Sequence, residues 1–152
     1  MKWILNNLFV SIYCLAIRIV ALWNPKAKKW IEGRKNVLEQ LKTKLQPGKD
    51  VIWMHCSSLG EFEQGRPLLE RIRSIYPETF LVVSFFSPSG YEVRKNYSGA
   101  DHICYLPFGN EQITRSFIRL LKPRLVLWIK YDYWYHYLRI LKQQRIPVIL
   151  VL

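Results

Sequence analysis

Glu61 follows directly on a run of small polar residues and a glycine, within the stretch V-I-W-M-H-C-S-S-L-G-E-F-E-Q-G-R-P that covers residues 51–67. A carboxylate so placed can take the proton from a bound hydroxyl, which is general-base chemistry. Ser57, Ser58 and Gly60 beside it offer hydroxyls and uncovered backbone to a ligand. The spacing also has a structural meaning. Ser58-Leu59-Gly60-Glu61 fits S-x-x-E, a capping box in which the glutamate folds back onto a backbone N–H at a helix start. The helix dipole favours a negative charge there and would keep the group ionised, the state a base needs. Spacing alone leaves both roles open. Glu63, two residues on, is a rival acid pointing another way around the helix.

The elements that must position Glu61 can be read on either side of it. Residues 51–54 are an apolar run suited to a strand, and Leu68, Leu69, Ile72 and Ile75 give the following segment one apolar helical face. A strand feeding through a tight turn into a helix puts the turn at the strand's carboxyl end, where ligands of open α/β sheets bind. The pattern then recurs. Residues 80–86 read as a buried strand ending in Ser87-Pro88-Ser89-Gly90, residues 102–106 as a short strand closing at Pro107, and residues 111–121 as a helix stopping before Pro123. Residues 125–129 form a fourth strand, a Tyr/Trp-rich segment runs through Leu141, and residues 147–152 begin a fifth strand. Strands and helices alternating at this spacing predict a Rossmann-like parallel sheet with right-handed crossovers. The first strand is followed by no G-x-G-x-x-G, so a dinucleotide is not signalled. The last apolar run stops without a cap, which predicts a sheet continuing in further residues.

Ahead of the sheet, residues 3–23 form an apolar stretch with tryptophans at both ends, interrupted by Asn6, Asn7 and Arg18. Its length and flanks predict a membrane-anchor helix, spanning or lying in one leaflet, with a buried soluble helix as the alternative. Lys26, Lys28, Lys29, Arg34 and Lys35 follow closely, with Trp30 and Ile31 interleaved as at a lipid interface. Basic residues behind an anchor point to the cytoplasmic face of the inner membrane and to anionic lipid. The organisation expected is thus an anchor over 1–23, a basic linker and helix over 24–50, and an α/β domain over 51–152. A formal charge of +12 over 152 residues calls for an anionic partner. Nucleic acid is disfavoured, because the charges gather behind the apolar stretch rather than on one folded face. Cys14, Cys56 and Cys104 are isolated and fit a reducing compartment. His55-Cys56 and His102-x-Cys104 lack metal-ligand spacing, so no metal is expected.

Taken together, His55-Cys56-Ser57-Ser58-Leu59-Gly60-Glu61, Pro67, the S-x-x-S-P-S-G of residues 84–90, Tyr105-Leu106-Pro107 and Lys122-Pro123-Arg124 have the order and spacing seen in one family. They resemble the 3-deoxy-D-manno-octulosonic acid (Kdo) transferases of lipopolysaccharide synthesis. The resemblance implies the N-terminal, acceptor-binding half of a two-domain GT-B glycosyltransferase, carrying the membrane anchor and the lipid A precursor site. It implies CMP-Kdo as donor substrate, bound by a C-terminal half outside this chain, and no cofactor. Glu61 matches the family's catalytic base. Ser87, Ser89 and Gly90 match its Thr/Ser-Pro-Thr/Ser-Gly loop, which would contact substrate or simply cap a helix. The I-K-Y-D-Y-W of residues 129–134 stands where the family commonly has M-E-T-E-L-W-P. Asp132 and Trp134 keep an acid and the tryptophan, making Asp132 a further candidate for substrate binding, whereas Lys130 reverses a charge and Tyr135 replaces the proline.

The reaction so implied is inverting transfer of Kdo to a hydroxyl of the lipid A precursor by a single displacement. Two alternatives remain: a GT-B transferase of different donor or acceptor, and a membrane-attached acceptor-binding fragment without catalysis.

Overall fold

In the computed structural model, residues 2–130 and 132–152 are described, without the side chains of residues 2–7 and Phe9. Five parallel strands form one sheet in the order β3-β2-β1-β4-β5, where β1 is Val51–Cys56, β2 Phe80–Phe85, β3 His102–Tyr105, β4 Leu125–Ile129 and β5 Val148–Val151. This is the expected Rossmann-like sheet. The strands of β1 and β2 are buried along their whole length, as both faces of a parallel sheet must be. The chain winds outward from β1 in both directions, so the order reverses between β1 and β4. Their carboxyl ends flank the crevice where doubly wound folds bind ligands.

Seven helices are described: α1 Lys2–Val20, α2 Pro25–Glu32, α3 Val37–Lys44, α4 Leu59–Ile75, α5 Pro88–Arg94, α6 Glu111–Leu121 and α7 Tyr135–Gln143. One face of the sheet packs Val51, Trp53, Val82, Val126 and Trp128 with residues of α3, α6 and α7. The other packs Ile52, Met54, Val83, Phe85 and Ile129 with Phe62 and Leu69 of α4. The apolar face expected on α4 needs correction. Phe62, Gly65 and Leu69 are its buried residues, while Leu68 and Ile75 are exposed. Gly65 sets this rotation: a Cβ there would stand 2.9 Å from Met54 Sδ and 3.0 Å from Ile129 Cδ1, so the helix lies almost on the sheet.

The N-terminal stretch also departs from expectation. Among the described residues no helix is long and apolar enough to cross a membrane, so the spanning form of the anchor is not supported. The packing gives the physical reason, because α1 uses one side on its own protein. Val10 is buried, and Tyr13 meets Trp30, Phe86 and Phe108 at ring-centroid distances of 5.9, 6.4 and 5.4 Å. The opposite side leaves Leu8, Ile12, Leu15, Ile19 and Leu22 exposed at helical spacing. Trp23 is exposed as the flanking ring was expected to be; Trp3, Asn6 and Asn7 lie outside the described side chains.

Trp30 and Arg34 are not at a solvent or lipid interface. Trp30 is buried, and the Arg34 guanidinium lies 3.7 Å from its ring centroid and 4.9 Å from that of Tyr105. Arg34 donates to the carbonyls of Trp30 at 2.9 Å, Phe86 at 2.7 Å and Leu106 at 3.0 Å. Burial lowers its pKa to about 9, with nearby tyrosines and Cys14 opposing that shift. It therefore clamps the linker to the carboxyl ends of β2 and β3 and cannot belong to a basic surface.

Candidate functional site

Glu61 lies in the first turn of α4, and its neighbours come from the turn between β1 and α4. Ser58 is the N-cap: its Oγ accepts from the Glu61 N–H at 3.4 Å. In return the Glu61 Oε2 accepts a short hydrogen bond from the Ser57 N–H, one residue earlier than in the usual capping box. Capping therefore engages the carboxylate, with the Ser57 N–H on Oε2 and the Ser58 N–H also bonded to the group. Glu61 is only half-buried, so the carboxylate can be reached by a ligand. Gly60 is exposed, and a Cβ there would meet nothing within 4 Å, so the space in front of the turn is open.

The electrostatics differ from the simple dipole expectation. Glu61 has its pKa raised above the ordinary carboxylate value, chiefly by burial. The Ser57 N–H opposes this, the charge of Asp132 adds to it, and the Ser58 N–H and the charge of Lys130 oppose it. The helix start thus does not keep Glu61 as readily ionised as a free glutamate. A raised pKa suits a base, because the carboxylate's affinity for a proton rises with it. Glu63, the rival, is engaged on both oxygens: Arg94 Nε donates to its Oε1 at 2.9 Å, and Arg66 Nε lies 3.1 Å from its Oε2. Both of its oxygens are thus taken by arginines.

Across the crevice, Lys130 and Asp132 follow β4, and both act electrostatically on Glu61. β1 and β4 are adjacent parallel strands, paired as far as His55 with Trp128, so the turn after β1 and the segment from Lys130 leave the sheet at the same edge. The Lys130 N–H donates to the Val151 carbonyl at 2.8 Å, and its φ of 64° lies in the left-handed region. The Asp132 carbonyl accepts from Trp128 Nε1 at 2.7 Å and from the Trp134 N–H at 3.0 Å. Tyr131 lies outside the described residues. Trp134 itself packs on Phe86 at 4.6 Å and Phe108 at 5.1 Å, beside a small cavity of about 150 Å³ shared with Val10, Tyr133 and His136.

The other predicted residues are distributed less simply. Ser57 is buried, and its Oγ has no hydrogen-bond partner among the described residues. Ser87 follows β2 next door, its N–H donating to the Ser57 carbonyl at 2.8 Å. Its Oγ caps α5 through the Ser89 N–H at 3.2 Å and meets the Ser89 hydroxyl at 3.0 Å. Ser89 is exposed. Gly90 is buried where a Cβ would come within 2.2 Å of the Phe85 ring, a packing role. The structure therefore brings Glu61, Ser57, Ser58, Lys130 and Asp132 to one crevice, with the Ser87–Ser89 turn on its β2 side.

His55 serves the core. Trp53 Nε1 donates to the Ser84 hydroxyl at 2.8 Å, and the same hydroxyl is hydrogen-bonded to His55 Nδ1 at 2.9 Å. Burial lowers the His55 pKa to about 3 and keeps the ring neutral. Among the described residues, no group of three or more His, Cys, Asp or Glu could hold a metal ion. Two contributors were missed in the sequence. Lys130 was noted only as a departure from a pattern, and Arg34 was counted with the surface charges. No local signal marks Arg34, whose carbonyl partners at Phe86 and Leu106 lie 52 and 72 residues away.

Comparison with known proteins bears on this crevice. A family described as 3-Deoxy-D-manno-octulosonic-acid transferase (kdotransferase) matches residues 20–152. The chain is 33% identical over 90 residues to the 3-deoxy-D-manno-octulosonic acid transferase of Chlamydia trachomatis serovar D, an alignment covering 58% of this chain and 21% of that protein. The enzyme of the same name from Aquifex aeolicus is 29% identical over 94 residues, covering 61% of this chain and 26% of the relative. That from Haemophilus influenzae is 25% identical over 105 residues, covering 68% and 25%. The chain thus spans about a quarter or less of the length of these relatives.

Proposed function

We propose a function from one premise: this chain belongs to the 3-deoxy-D-manno-octulosonic-acid (Kdo) transferase family. In the complete protein it forms the acceptor-binding half of a GT-B glycosyltransferase that moves Kdo from CMP-Kdo to a hydroxyl of the lipid A precursor. The nucleotide is held by a second α/β domain, and no cofactor takes part. The observation that carries this reading is the placement of Glu61: a half-buried carboxylate tied to the backbone at the switch point of the sheet, with its proton affinity raised.

The chemistry is a single inverting displacement. Glu61 takes the proton of the acceptor hydroxyl while that oxygen bonds to the anomeric carbon. The bond from that carbon to the phosphate oxygen of CMP breaks, and its electron pair leaves with the nucleotide. Ser57 and Ser58 hold Glu61, and the Ser87–Ser89 turn and Asp132 border the acceptor. Protein with a net charge of +12 draws in an acceptor that carries phosphates.

The location follows from the same reading. The exposed row Leu8, Ile12, Leu15, Ile19 and Leu22, next to exposed Lys26, Lys28 and Lys29, lies in the cytoplasmic leaflet of the inner membrane. Lipid acceptor is then delivered beside the carboxyl edge of the sheet, where Tyr13 meets Phe86 and Phe108.

The test is transfer of labelled Kdo from CMP-Kdo to lipid A precursor by the purified full-length protein. Transfer that requires both substrates supports the proposal. A well-folded protein that leaves this pair untouched but glycosylates another acceptor would redirect it to a different GT-B activity.

A further inference from the structure

The name of the transferred sugar states its chemistry: an octulosonic acid carries a carboxylate on the carbon next to its anomeric centre. During transfer the acceptor hydroxyl bridges Glu61 and that centre, so the sugar carboxylate comes within a few ångströms of an ionised glutamate. Asp132 adds a second negative charge to the same crevice. Like charges this close repel in a partly buried site. A cation among these groups offsets that repulsion.

Lys130 is placed to be that cation. It stands directly after β4, at the same sheet edge as Ser57 directly after β1, and its charge acts on Glu61. It is half-buried and takes part in no ion pair among the described residues. Its N–H donates to the Val151 carbonyl, and its φ of 64° lies in the left-handed region that glycine adopts freely. The buried Ser57 Oγ at that edge lacks a partner, as a hydroxyl awaiting a ligand would.

We propose that the Lys130 ammonium binds the carboxylate of the sugar acid while it passes to the hydroxyl held by Glu61. This rests on the transferase reading above and adds a substrate contact to it. No electrons or protons move through Lys130; it remains an ammonium throughout.

The experiment uses the full-length protein with Lys130→Gly and Lys130→Arg. Glycine removes the ammonium and accepts the left-handed backbone, so folding is preserved. Each protein is given CMP-Kdo and its neutral carboxamide analogue as donors, with phosphorylated and dephosphorylated acceptor. Loss of a charge-assisted hydrogen bond predicts a fall of about 10- to 100-fold in kcat/KM for the acid donor in Lys130→Gly. The carboxamide donor should lose no more than a few-fold, and Lys130→Arg should restore most of the acid-donor rate. An equal loss on both donors overturns the proposal. So does a loss that tracks the acceptor phosphates, which would make Lys130 an acceptor contact. A shift of the acid limb of the pH profile with an unchanged acid-to-amide ratio also overturns it, leaving Lys130 as a tuner of Glu61. If the unmodified protein transfers no Kdo, the transferase reading itself fails and this inference falls with it; normal transfer with no donor discrimination sinks this inference alone.

Discussion

Glu61→Gln in the full-length protein separates a base from a cap, because the two roles predict changes in different measurements. Glutamine keeps an oxygen able to accept from the Ser57 N–H, so the hydrogen bond made by Oε2 survives in neutral form. Replacing a charged acceptor by a neutral one costs about 1 kcal/mol. Against this, glutamine removes the penalty of burying an ionised carboxylate and its repulsion by Asp132, the two causes that raise the Glu61 pKa. The sign can be worked out. A carboxyl whose folded pKa lies above its unfolded value destabilises the native state once it is ionised in both states. Its contribution improves as pH falls through the folded pKa. At neutral pH the gain and the loss oppose each other, so the melting temperature should stay within a few degrees. Turnover behaves otherwise: losing a general base costs about 10²–10⁴-fold. The assay is Kdo transfer per folded molecule beside a thermal melt. The acid limb of kcat/KM in the unmodified protein should lie above the ordinary glutamate range and vanish in the variant. Near-normal transfer with a lowered melting temperature would refute the reasoning and leave Glu61 as a cap.

Glu63→Gln should leave transfer within a few-fold, and its loss of stability should stay below about 1 kcal/mol because its arginine partners are partly exposed; a collapse in transfer would reinstate it as a base. Gly65→Val should destabilise by about 1–3 kcal/mol in a denaturant melt, since the added carbons meet Met54 and Ile129. Arg34→Met removes three bonds to carbonyls and should cost about 2–4 kcal/mol by the same measurement; a surface role would leave the melt unchanged. Replacing Leu15, Ile19 and Leu22 by serine should weaken binding of the full-length protein to anionic vesicles without lowering its melting temperature, as checked by vesicle sedimentation.

The sheet was legible because its signals are local. The first three strands are apolar runs closed by Ser or Pro, and each crossover is long enough for one helix, so strand alternation alone led to a parallel sheet. The position of Glu61 was legible for the same reason: strand, polar turn and acid are contiguous. The details of α4 were not. Which residues of a helix touch a sheet depends on how close the two backbones come, and Gly65 permits an approach that turns Phe62 and Leu69 inward and Leu68 outward. Counting apolar residues weighted Leu68 and Ile75 equally with Leu69.

Charge misled more than hydrophobicity did, and the two clearest cases share a cause. Arg34 looks like one of five basic residues behind an apolar stretch, and Lys130 like a surface lysine ending a strand. A charge declares its role through what surrounds it, and both surroundings are non-local. The carbonyls that hold Arg34 come from the ends of β2 and β3, exposed there because parallel strands leave their last carbonyls unpaired once the chain turns away. The aromatic rings around it exclude water and so make those bonds stronger than surface bonds would be. Lys130 is placed by β4, whose pairing with β1 brings the segments after both strands, more than seventy residues apart in the chain, to one edge of the sheet. The crevice between β1 and β4 lies where the strand order reverses, whereas Arg34 closes the ends of β2 and β3 to one side of it, so the same topology gives the two cations different surroundings.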